Sequence, residues 1–172
     1  MHFDMPIEQV LRRADTRFQF GFANEAKELV REKEEFLLRA SAAGLRVLAR
    51  NEDALAVPVA MLRDVYGPRL DVKPPRVRLI KGIQVQEPIM HVRIALKSAY
   101  RSAVKAVMSA RGATLDEEYA KANYCVLRYE AALIRLLGLS AELKDRTAGE
   151  GKHWIALSHY ALVTRDPGGR AT

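Results

Sequence analysis

Two short patterns in this sequence have residue types and spacings that could do chemistry. Ser102 and Lys105 have the S-x-x-K spacing, which places a lysine amine one helical turn from a serine nucleophile. Gly151 and Lys152 form the dipeptide that ends a phosphate-binding loop. The serine pattern lacks an S-D-N or K-T-G partner, and Arg146 occupies the position of the loop's first glycine. The sequence therefore predicts neither acyl transfer nor nucleotide binding.

Metal-ligating side chains are sparse, with four histidines and one cysteine in the chain. His153 and His159 fall on the same face of one predicted strand, but six strand residues span about 20 Å, too far for one ion. We interpret the acidic run Asp116–Glu118 as a solvated turn and Cys125, among apolar neighbours, as a buried thiol. We therefore expect no catalytic residue, no metal site, no cofactor and no enzymatic activity.

Basic side chains are the remaining functional signal. Lys97, Arg101 and Lys105 are four residues apart, which places them on one face of a helix. Cations placed in this way bind phosphates through counterion release, without reading a base sequence. The alternative is a solvated face, or cations that complement the C-termini of helices. The candidate RNA-binding residues are Lys97, Arg101, Lys105, Arg111, Lys144 and Arg146.

The distribution of charge along the 172 residues supports a polyanionic partner for the second half. Residues 1–75 contain 12 Lys/Arg and 12 Asp/Glu, whereas residues 76–172 contain 16 Lys/Arg and 9 Asp/Glu. All of the net charge of +7 therefore lies in the second half. A basic region joined to a neutral one is typical of a protein that binds a polyanion, although solubility alone also explains it.

The elements that position these cations fall into two regions. Gly67-Pro68 and Pro74-Pro75 disfavour helix and indicate an extended connector, so we place a boundary near residue 75. Residues 1–75 are predicted to be a mainly helical region of unknown role, with helices over residues 6–14, 25–43 and 52–66 and a short strand at 45–49.

Residues 76–172 are predicted to form a ferredoxin-like domain of the α+β class. Apolar residues alternate along the first predicted strand and then switch to helical spacing. The same change from alternating to helical spacing occurs again later in the region, which gives the order β-α-β-β-α-β. The predicted strands are 89–96, 113–119, 123–131 and 152–163, and the helices are 98–110 and 131–144.

Particular residues of this region also point to a family. Four landmarks occur in order: Glu87-Pro88-Ile89-Met90, Arg111-Gly112, Thr147-Ala148-Gly149-Glu150-Gly151 and His159-Tyr160. Over residues 85–164 the chain thereby resembles the C-terminal domain, domain V, of translation elongation factor G. The resemblance implies the ferredoxin-like fold and docking against ribosomal RNA and protein at the base of the large-subunit stalk. Residues 1–75 resemble no part of that factor, and its GTPase domain has no counterpart here.

We therefore expect a non-enzymatic protein that binds ribosomal RNA or large-subunit proteins near the translation-factor site. The alternatives are a protein-interaction module, a homo-oligomeric subunit, or a remnant of a split translation factor. No apolar run approaches the roughly 18 residues of a membrane span. Acidic residues near the N-terminus argue against a secretory signal, and one cysteine excludes an internal disulfide. We expect a cytoplasmic protein with neither a membrane nor a nucleotide as a partner.

Overall fold

Two antiparallel sheets follow one another along the chain in the computed structural model, which describes residues 2–163. The first sheet has the strand order β2-β3-β1-β4, with β5 also paired to β1. We call residues 2–77 the first unit. Its elements are β1 (Ile7–Arg13), α1 (Gln19–Leu29), β2 (Phe36–Ser41), β3 (Gly44–Ala49), α2 (Glu52–Tyr66), β4 (Leu70–Val72) and β5 (Arg76–Val77).

The second sheet has the order β10-β7-β9-β8, with β6 also paired to β7. We call residues 80–163 the second unit. Its elements are β6 (Ile80–Lys81), β7 (Val85–Lys97), α3 (Arg101–Ala110), β8 (Thr114–Lys121), β9 (Tyr124–Ala132), α4 (Leu133–Leu136), α5 (Leu139–Arg146) and β10 (Lys152–Leu162). The predicted ferredoxin-like domain is confirmed. Gly138 has a φ of 77° and divides the second predicted helix into α4 and α5.

The first unit corrects the prediction of a mainly helical N-terminal region. It contains two helices, but its central element is a sheet, of which only the strand at residues 45–49, now β3, was predicted from the sequence. The helix predicted over residues 25–43 ends at Leu29, and Phe36–Ser41 form β2 instead. Residues 6–14, predicted to be helical, contain β1, which pairs with β3, β4 and β5. Only Ile7 and Leu11 of β1 are fully buried, because Gln9 between them is a polar residue that donates to the Lys73 carbonyl. This four-residue spacing imitates a helix.

The two units share one connectivity, β-α-β-β-α-β, with the helices packed on one face of each sheet, and α4 and α5 together occupy the second helical position of the second unit. In the second unit, Val104 and Met108 of α3 are completely buried, as are Met90 of β7 and Leu127 of β9. Each such side chain contributes about 1.5–3 kcal/mol through burial. The opposite face of the second sheet, which we call the open face, carries exposed side chains.

The start of α2 contacts the second unit through polar side chains. Asn51 caps α2 through its Oδ1 and donates from its Nδ2 to the Ile155 carbonyl at 3.0 Å. Glu52 accepts from the backbone N–H of Gly138 at 2.7 Å. These contacts join residues 104 and 86 positions apart in the chain. No helix within residues 2–163 is long and apolar enough to span a bilayer.

Candidate nucleic-acid interface

The predicted basic face of α3 is neutralised by one carboxylate of the neighbouring edge strand. Val104 and Met108 turn one side of α3 toward the sheet and leave Arg101 and Lys105 at its border. Glu118 of β8 forms ion pairs with both cations, and its distance to the Lys105 Nζ is 2.9 Å. The hydrogen bond from Lys105, followed by that from Arg101, lowers the pKa of Glu118.

Two more of the predicted RNA-binding residues have internal partners. Lys97 lies 2.8 Å from the Glu150 carboxylate. Arg111 pairs with Glu142 at 2.7 Å and donates to the carbonyls of Arg135 and Leu137. Only 20% of the Arg111 side chain is exposed. Arg111 therefore links the end of α3 to the α4–α5 junction, and four of the five N–H groups of its guanidinium donate to acceptors within the protein.

Lys144 and Arg146 have a different environment from the other four candidates. Both side chains are exposed at the C-terminal end of α5, and neither has an ion pair within residues 2–163. They are the two candidates whose positive charge is not already neutralised by a neighbouring carboxylate in the described part of the chain. Cations here also complement the partial negative charge of the helix end.

The open face of the second sheet brings together residues that the sequence analysis did not select. Trp154 of β10, Arg93 of β7 and Arg128 of β9 occupy directly opposed positions on three neighbouring strands. The Arg93 guanidinium lies over the Trp154 ring, 4.7 Å from its centroid. The alternation of apolar residues along β7 predicts that Arg93 lies on an exposed face. Which residues of the adjacent strands lie beside it depends on strand register. These residues line a concavity of about 450 Å³.

Beside this row lies a cluster of side chains of the types that hold metal ions. His91, Asp116 and Glu130 come from three neighbouring strands, and their ligand atoms lie within 4.8 Å of one another. A bulge between Leu115 and Glu117 shifts the register at Asp116. This grouping was not predicted from the sequence, because only strand register brings the three residues together. Clusters of exposed acidic side chains are common without a metal, so the geometry alone does not define a site.

A serine, a histidine and an aspartate meet where α2 contacts the second unit. The Nε2 of His153 lies 2.9 Å from the Ser140 hydroxyl and 2.8 Å from the Asp53 carboxylate. A catalytic triad needs the serine and the aspartate on opposite ring nitrogens, whereas both contact the same nitrogen here. The hydrogen bond from His153 is the largest cause that lowers the pKa of Asp53. These three side chains therefore form a contact between the two units.

The acidic run at residues 116–118, predicted to be a solvated turn, is instead part of the exposed edge strand β8. Cys125 is fully buried, as expected, and desolvation raises the pKa of its thiol. His153 and His159 were placed on the same strand face, which is wrong, because a bulge between Leu157 and His159 reverses the alternation. Tyr160 consequently donates its hydroxyl to the Phe3 carbonyl of the first unit.

Two comparisons place this chain among known proteins. The family model described as elongation factor G C-terminus matches residues 84–170. A crystal structure of a protein from Thermus thermophilus matches with a TM-score of 0.66 and 14% sequence identity, over 92% of this chain. The chain spans 41% of that protein's length. At this identity the likeness shows the fold alone, and it extends over both units.

Proposed function

Because this chain belongs to the elongation factor G C-terminus family, we propose that it binds the ribosome at or near the translation-factor site. The observation that carries this proposal is the family match over residues 84–170, which makes the second unit a translation-factor-related domain. Ribosomal RNA or large-subunit protein is the proposed partner. The proposed role is binding alone, without catalysis and in the cytoplasm.

Electrostatics support an RNA partner for the second unit. The excess of seven positive charges lies after residue 75. Lys144 and Arg146 present two of these charges on the surface without an ion pair in the described residues. A phosphate contact by each releases counterions, which makes binding stronger at low salt. Lys97, Arg101, Lys105 and Arg111 would have to exchange a carboxylate for a phosphate, so their contributions are expected to be smaller.

The proposal is tested by sucrose-gradient co-sedimentation with 70S ribosomes and isolated 50S subunits at low and moderate salt. We expect binding to 50S that elongation factor G displaces. The variant K144A/R146A should bind more weakly, with a shallower dependence on salt. The matched control K27A/R63A removes two exposed cations of the first unit and should bind like the wild type.

Absence of co-sedimentation at low salt, where charge interactions are strongest, would overturn the proposal. If elongation factor G does not displace the bound protein, the proposed location at the factor site would be overturned. Equal losses in K144A/R146A and K27A/R63A would show that net charge, and not the end of α5, determines binding.

An apolar stripe on α2 favours a second candidate function, a protein-interaction subunit or homo-oligomer. Val57, Met61 and Val65 are four residues apart and 39%, 42% and 51% exposed. A helix that partners another protein presents such a stripe. The test is light scattering of the wild type and of M61E at several salt concentrations. A salt-independent oligomer that M61E dissociates would support this candidate, whereas monomers throughout would remove the homo-oligomer.

A further inference from the structure

The open face of the second sheet carries a row of side chains with an unbalanced charge. Trp154 and Arg128 flank Arg93 at directly opposed positions, and Glu117 is opposed to Arg128. The Glu117 carboxylate lies 3.6 Å from the Arg128 guanidinium, but Arg93 has no carboxylate partner within residues 2–163. Like charges directly opposed across strands are destabilising. An anion bound between the two arginines would remove this repulsion.

Aromatic surface accompanies these cations. Trp154 is 49% exposed although it is a large apolar residue, and Arg93 stacks on its ring. Tyr119 of β8 is 59% exposed and is opposed to Val126, near Arg128 on the same pair of strands. Nucleic-acid bases stack on aromatic rings and on guanidinium planes, and each base brings a phosphate. A site that accepts an aromatic plane and an anion together therefore fits a nucleotide chain.

The surroundings indicate how far such a ligand extends. Asp116 and Glu130 occupy one side of the row, where their charges repel phosphate. On the other side, Lys152 of β10 and Lys121 of β8 are exposed. The phosphates are expected to run from the arginines toward these lysines, away from the carboxylates. The row spans neighbouring strands about 4.8 Å apart, enough for two or three nucleotides.

We propose that the open face of the second sheet binds a short single-stranded segment of RNA. One base stacks against the Arg93–Trp154 pair, and the adjoining phosphates contact Arg93 and also Arg128, where a phosphate takes the place of Glu117. A paired helix presents its bases edge-on, so the site selects unpaired nucleotides. This inference rests on the proposed function for its choice of RNA as the partner. It assigns the contact to a sheet face that carries only Lys97, at the end of β7, of the six basic residues chosen from the sequence.

The single tryptophan makes a direct test possible, because intrinsic fluorescence reports on Trp154 alone. The full chain is titrated with an eight-nucleotide oligouridine while tryptophan emission is recorded. We expect quenching that saturates and weakens as salt increases. Inorganic polyphosphate, which has charge but no bases, is the matched probe and should leave the emission unchanged. A blunt-ended RNA duplex, which has no unpaired nucleotides, should bind more weakly.

Variants then identify the residues by anisotropy of a labelled oligouridine. W154A and R93A should each lower affinity about tenfold, since stacking on one side chain contributes on this order. R63A, an exposed arginine of the first unit without an ion pair in the described residues, should bind like the wild type. Circular dichroism of each variant confirms that the sheet is intact.

Several outcomes would overturn the inference: unquenched emission with oligouridine, equal quenching by polyphosphate, or unchanged affinity in folded W154A and R93A. These failures are distinguishable from failure of the proposed function. If the wild type and R93A co-sediment equally with 50S subunits and no quenching occurs, ribosome binding stands and the sheet site is wrong. If oligouridine quenches but ribosomes do not bind, the sheet site stands and the proposed function is wrong.

Discussion

Glu118 determines how much of the positive charge on α3 is available to a partner. Its single carboxylate holds both Arg101 and Lys105, and these hydrogen bonds lower its pKa. A carboxylate whose pKa is lowered by folding stabilises the fold fully at pH values above its ordinary pKa. This contribution is lost as the pH falls through the lowered pKa. At neutral pH the two cations are therefore occupied, and a polyanion has to displace Glu118 to reach them.

Replacement of Glu118 by glutamine should consequently strengthen binding to polyanions. E118Q leaves Arg101 and Lys105 without this carboxylate, so each can release a counterion at a phosphate. We expect E118Q to elute from a heparin column at higher salt than the wild type. The measurement is the salt concentration at the elution peak at pH 7.

E28Q provides the control for this comparison. Glu28 is an exposed residue of α1 without an ion pair in the described residues, and its replacement removes the same charge. E28Q is expected to elute close to the wild type. If both variants shift equally, net charge alone explains the effect and Glu118 does not restrain the two cations.

At the scale of elements, the hairpin between β2 and β3 depends on a glycine. Gly44 has a φ of 130°, and a Cβ on it would lie 2.3 Å from the Leu11 carbonyl oxygen of β1. Gly138 also has a positive φ, 77°, but a Cβ there would meet no atom within 4 Å. The first glycine is required by close packing as well as by backbone conformation, whereas the second is required by conformation alone.

Alanine at the two glycines should therefore have unequal effects. We expect G138A to lower the free energy of unfolding by about 1–2 kcal/mol, the cost of a left-handed conformation. G44A adds a clash between the new Cβ and the backbone. It should therefore lower the free energy of unfolding by about 1–3 kcal/mol more than G138A does. Urea unfolding at pH 7 measures both. Equal losses would contradict the close approach of Gly44 to β1.

At the scale of the whole molecule, a polar contact joins the two units. Asp53 at the start of α2 lies 2.8 Å from the Nε2 of His153 on β10, and this hydrogen bond lowers the pKa of Asp53. Its side chain is 48% exposed, so solvent screens much of the interaction. The contribution of the contact is present above the ordinary pKa of Asp53 and is lost as the pH falls through the lowered value.

A double-mutant cycle of D53N and H153A should detect this contact between the units. We expect a coupling free energy of about 0.2–1 kcal/mol at pH 7, measured by urea unfolding. The difference between the wild type and D53N should diminish as the pH falls below the ordinary pKa of aspartate. Because H153A leaves the start of α2 unchanged, it separates the contact from the effect of Asp53 on the helix dipole. A coupling free energy of zero would contradict the contact between Asp53 and His153.

The predictability of the fold differs between the two units for a physical reason. In the second unit, strand residues such as Met90, Val92 and Ile94 alternate with more polar ones, so the period is visible locally. In the first unit, Gln9 interrupts the buried face of β1, and only pairing with β3 and β4 makes this segment a strand. The shared connectivity of the two units was likewise invisible without the sheet pairings.

The sequence by itself determined where the positive charge lies, the ferredoxin-like order of the second unit and its family, because charge and periodicity are properties of neighbouring residues. Only the tertiary structure decided which cations are available. Arg101 is neutralised by Glu118, a residue of a different element, whereas Arg93 acquires Trp154 and Arg128 as neighbours through strand register. Ion pairs and cross-strand neighbours join residues that are far apart in the sequence. They are therefore determined only when the sheets form.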